Sequence, residues 1–219
     1  MAYTTNLSTG TPATFDGMMT DGFGIVTVMN VDIYNALSAK EYAEMTAYDV
    51  YKSAKPEDLL CSLDTLKIAN VTQEGPSKTI TGGRYSNPLI KFGKSARLEM
   101  QDALGSGKAI SALCGGIVES SDSKMTGLHF GEDFVGPKLI IGDSFFIDRK
   151  SGQQVKVKIV FYQFLPDSIF NLTQDAEGDA TVFDMNGDLL TTEIIVGDSN
   201  VHGVFYSILD AAEVEEKGE

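Results

Sequence analysis

The sequence predicts a mainly β fold: a β-sandwich or partly closed barrel with long hairpins and one or two short helices. Three observations lead there. Residues 95–102 alternate, with Ala96, Leu98 and Met100 on one face and Arg97, Glu99 and Gln101 on the other, the period of a half-buried strand. Residues 155–164 (V-K-V-K-I-V-F-Y-Q-F) are rich in β-branched and aromatic groups, alternating at first and then apolar on both faces. Gly, Pro, Asn and Asp clusters punctuate the remaining apolar runs at short intervals, and no longer period recurs that would suggest a repeat array.

Taken in order, residues 1–22 are Thr-, Gly-, Ser- and Asp-rich with few large apolar groups, and read as an N-terminal arm. Residues 23–212 form a single β domain, and 213–219 an acidic tail. Within the domain, 24–33 (G-I-V-T-V-M-N-V-D-I) reads as a first strand and 36–45 as a short helix of strong helix formers. Residues 61–73 return to a strand whose apolar phase shifts once, as at a bulge or bend. Glu74-Gly75-Pro76-Ser77 reads as a turn, making 63–80 a long hairpin. Residues 108–113, stopped by Gly115-Gly116, have the size of a two-turn helix. Residues 117–146 are glycine-rich and yield only two short strand candidates, 139–141 and 144–147. A turn at 148–153 precedes the strong strand 155–164, which Pro166-Asp167 ends. Asn186-Gly187 within D-M-N-G-D predicts a type I′ hairpin turn between strands at 181–183 and 189–195. Residues 204–209 read as a last strand.

The centre of the chain, residues 78–104, joins two strand-like pieces through Gly82-Gly83, a loop and Pro88. Its strings T-I-T-G-G, F-G-K and A-R-L-E-M-Q-D-A-L resemble the central region of bacteriophage tail-tube (major tail) proteins. Residues 155–188, with V-K-V-K-I-V-F-Y-Q-F-L-P-D and L-T-Q-D-A-E-G-D-A-T-V-F-D, are similar to that family's second half. Together these motifs cover roughly a third of the chain; neither the N-terminal part nor residues 120–142 share in the likeness.

The resemblance implies a structural subunit that assembles with copies of itself into stacked, hexameric rings, a conduit for DNA on its way into the host. It implies a virion protein put together in the bacterial cytoplasm, with the tape measure, sheath or terminator as further partners, no cofactor and no membrane. Assembly contacts are then expected in the N-terminal arm and at Thr79, Thr81, Gly82, Gly83, Arg84, Tyr85, Lys91 and Lys94, since glycine-rich loops order readily against neighbours. Two other readings stand beside it: another virion assembly protein (baseplate, neck or adaptor), or a carbohydrate-binding β-sandwich, which the absence of Trp disfavours.

Charge and composition agree with a structural role. A net charge of −14 is unsuited to holding nucleic acid, which needs clustered Lys and Arg. Two cysteines, Cys61 and Cys114, are too few for a disulfide framework and are expected reduced and buried. The opening M-A-Y-T-T-N-L-S-T-G lacks the basic and apolar regions of a signal peptide, so none is expected, and no run reaches membrane-span length.

Motifs that suggest chemistry are incomplete. G-S-G-K at 105–108 lacks the leading glycine of a phosphate loop, having Asp102 there and Ala109 after the lysine. D-M-N-G-D puts its glycine two positions too early for an EF-hand, and the hairpin turn explains its letters; D-A-E-G-D at 175–179 is left as a calcium candidate. H-F-G-E-D at 129–133 brings one histidine near two acids, but no Ser or Cys stands in a nucleophile setting. No catalytic, cofactor or metal residues are assigned, and the chain is not expected to be an enzyme.

Overall fold

The structure is a computed structural model that describes residues 18–30, 46–47, 49–50, 59–63, 66–75, 77–79, 89–91, 93–102, 107–121, 124–132, 134–148, 152–167 and 183–211. The fold is mainly β, with one sheet curled into a half-barrel. Its strands are β1 (Met18–Asn30), β2 (Leu59–Leu63), β3 (Leu66–Glu74), β4 (Ser77–Thr79), β5 (Leu89–Lys91) and β6 (Ser95–Asp102). Helix α1 (Gly107–Cys114) follows, then β7 (Gly116–Ser121), β8 (Lys124–Phe130), β9 (Lys138–Asp148), β10 (Gln154–Pro166), β11 (Phe183–Leu189), β12 (Thr192–Val196), β13 (Ser199–Val204) and β14 (Tyr206–Asp210). Eight strands form one sheet in the order β2-β1-β9-β10-β11-β6-β3, with β14 also paired to β10. All of its pairings are antiparallel. The sheet curls until β3, at one end, lies against β1 near the other.

β10 organises the fold. Its first half pairs with β14 over Val157–Phe161, and its end pairs with β11 at Phe164–Pro166. β9 lies along the opposite edge. Both faces of β10 are covered as well, by two separate cores. Ile159 and Phe161 enter the concave core with Ile140, Leu98, Met100, Met185 and Leu189. Val160 and Tyr162 enter a second core on the convex face, with Leu139, Ile141, Leu209, Ile194, Ala47 and Val50. This is why the sequence of β10 stops alternating halfway along: a strand buried on two faces needs apolar groups on both. Phe161 and Phe164 share the concave core although three residues apart, and the β9 pairing is irregular between them, which restores the facing. The Phe161 ring also lies against Tyr206 of β14, with centroids 5.6 Å apart.

Helix α1 closes the concave core. Ala109, Ile110, Leu113 and Cys114 recur at helical spacing on its buried face, packed among Cys61 and Leu63 of β2. It ends where expected, at Gly115, whose φ of 82° is the left-handed conformation that a helix stop uses. The expected strand at 95–102 is β6, with Ala96, Leu98 and Met100 buried. Cys61 and Cys114 are free thiols in the core, as expected. Burial pushes the Cys114 thiol up to about 11.

Five expectations are corrected. The turn at 74–77 does not fold 63–80 back on itself. β3 pairs with β6 and β4 with β5, so the long hairpin has arms 66–79 and 89–102, and Gly75-Pro76 merely interrupts one arm. Pro76, which cannot donate to a ladder, falls between the end of β3 and the start of β4, and the two strands run in the same direction. The phase shift in 61–73 is a change of strand: β2 belongs to β1, β3 to β6. D-M-N-G-D is no turn; β11 runs straight through it, paired with β6 from Phe183 to Leu189. Gly187 is there because a Cβ would lie 2.3 Å from the Leu165 carbonyl oxygen and 2.7 Å from the Phe164 ring. The reversal comes later, at Gly197-Asp198, where Gly197 has φ 62°. Finally, 139–141 and 144–147 are one strand, β9, continuous through Gly142. β1 begins at Met18, inside the stretch expected to be an arm. The helix expected at 36–45, residues 1–17 and the tail 213–219 lie outside the described residues.

Candidate assembly surface

The expected contact residues fall on the long hairpin. Thr79 ends β4 opposite Leu89, and Lys91 ends β5 opposite Ser77, so the stem of the hairpin forms and stands apart from the large sheet. Lys94 is exposed between β5 and β6, its Cγ 3.6 Å from where a Cβ of Gly75 would be. Thr81, Gly82, Gly83, Arg84 and Tyr85 lie outside the described residues.

Two other hairpins, which the sequence did not disclose, also stand outside the large sheet: β7–β8 and β12–β13. β7–β8 folds from the end of α1. Leu128 reaches the concave core, while Leu128 and Phe130 close over Gly116, leaving no room for a Cβ there. Beyond that root the ribbon is exposed. Ile117 is 64% exposed, and Val118, Met125 and Phe130 are also open to solvent. Phe134, just past β8, is 87% exposed. β12–β13 buries Ile194 in the convex core and exposes Val196 and Val201. A two-stranded ribbon has no core of its own, so apolar groups on it that are turned away from the two cores stay open to solvent. The signal missed in the sequence was short: I-V at 117–118 and L-H-F at 128–130, separated by polar and glycine residues that masked the alternation.

Each of these hairpins carries a histidine paired with a glutamate. His129 Nε2 lies 3.2 Å from Glu119 Oε2 across β7–β8. His202 Nδ1 lies 3.0 Å from Glu193 Oε2, its register partner across β12–β13. His129 of H-F-G-E-D thus pairs with Glu119 in solvent and stands opposite Ile117 in register, while Asp133 lies outside the described residues.

The convex face of β3, β6 and β11 has a different character. Asn70 and Thr72, then Arg97, Glu99 and Gln101, then Asp184, Asn186 and Asp188 face outward in register. Arg97 is held between Asp167 and Asp188, 3.1 Å from the latter, with Glu99 at 4.0 Å. The Asp167 hydrogen bond, ahead of an opposing desolvation effect, holds the guanidinium pKa above its ordinary value. Gln101 Nε2 donates to Asp184 at 2.9 Å. Asp184 and Asp188 of D-M-N-G-D therefore serve different partners rather than converging on one ion. Among the described residues no group of three or more metal-ligating side chains gathers. The candidate at 175–179 lies outside them. Lys158, which sequence places on a basic face with Lys156, is paired with Asp143 opposite it on β9. No helix among the described residues is long and apolar enough to cross a membrane.

No protein-family model matches the sequence, and no curated protein matches it.

Proposed function

We propose that this chain is a structural subunit of a bacteriophage tail tube, assembling with copies of itself into stacked, hexameric rings that conduct DNA to the host. The observation that carries this reading is the pair of hairpins β7–β8 and β12–β13. They lie outside the eight-stranded sheet and hold Ile117, Phe130, Val196 and Val201 in solvent, with Phe134 close by. Apolar groups on a ribbon gain cover when a neighbouring subunit packs on them, and a self-assembling chain provides that neighbour. The long hairpin 66–102, with its stem β4–β5 apart from the sheet, gives a third projection toward neighbouring copies.

The convex face of β3, β6 and β11 fits the wall of such a conduit. It carries Glu99, Asp184 and Asp188, and its Arg97 is occupied by carboxylates. Among the described side chains of that face the one cation, Arg97, is held by carboxylates, so a passing duplex gains little there from counterion release.

Negative-stain microscopy and sedimentation of the purified chain test the reading. Rings or tubes are expected, and Ile117→Ser with Phe134→Ser should leave a folded subunit that assembles poorly. Monomers at every concentration tried, or a double variant that assembles normally, would overturn it.

A further inference from the structure

We draw no further inference here: the strongest candidate, the exposed apolar patch of the β7–β8 hairpin at Ile117, Met125 and Phe130 with Phe134 beside it, belongs to the surface already described, and nothing in the structure shows what covers it.

Discussion

The Tyr162 hydroxyl donates to Ser207 Oγ at 2.7 Å, tying β10 to β14 beneath the convex core. Tyr162 is fully enclosed, and burial pushes its pKa up to about 12 although the hydrogen bond to Ser207 pulls it down. A folded-state pKa above the unfolded value of about 10 means the native state holds this proton more tightly. The stabilisation is complete below pH ~10 and is lost as pH climbs toward ~12, an effect on the order of 2–3 kcal/mol. Cys114, raised to about 11, adds a similar loss that begins nearer pH 9. Tyr162→Phe should cost about 1 kcal/mol at neutral pH. It should also flatten the fall in melting temperature between pH 10 and pH 11.5. An unchanged alkaline slope would mean that Tyr162 ionises without opening the core.

β6 offers a contrast between adjacent residues. Leu98 is 1% exposed and Glu99 faces solvent. Leu98→Ala should lose about 3 kcal/mol through transfer and cavity terms, and Glu99→Gln less than about 0.5 kcal/mol. Equal losses in chemical denaturation would show that the strand faces the other way.

Gly187 and Gly197 separate two reasons for a glycine. Gly187→Ala would drive a methyl into the Leu165 carbonyl, a backbone atom that cannot swing aside, at a cost of about 3 kcal/mol. Gly197 has open space around it but a φ of 62°, so Gly197→Asn should be nearly neutral and Gly197→Ala cost about 1 kcal/mol. If Gly187→Ala proves the milder of the two alanine variants, β11 is not pressed against the end of β10.

Arg97 joins β6 to the ends of β10 and β11 through Asp167 and Asp188. It is partly exposed, so Arg97→Gln should cost only about 1 kcal/mol. The loss should shrink further in 1 M salt, where exposed ion pairs are screened. A loss of several kcal/mol, insensitive to salt, would identify a buried pair instead.

Strands with a private pattern were legible in the sequence. β6 alternates, β10 changes from one-faced to two-faced, and α1 carries its own glycine stop, so each could be read without knowing its neighbours. Pairing was not legible. Asn186-Gly187 has the chemistry of a hairpin turn, yet the approach of Leu165 and Phe164, about twenty residues earlier, uses the same glycine for clearance. Gly75-Pro76 has the chemistry of a reversal, yet the partner of β3 lies beyond the next loop. Of the candidate contact residues, Thr79, Lys91 and Lys94 lie on or beside a hairpin, whereas β7–β8 and β12–β13 left only short, glycine-broken runs in the sequence. Exposed apolar groups have no periodic signature, because no core within the chain imposes one on them.

The placement of β10 bears on when the chain folds. β9 and β10 are consecutive and make the most local of the long pairings, but one flank of that ribbon is taken by β1 and the other by β14. The first described strand and the last are thus both needed before the central hairpin has neighbours on either side. During synthesis from the N-terminus, the β10 edge stays open until Tyr206–Asp210 has left the ribosome. In the meantime an apolar strand edge is exposed to other nascent chains.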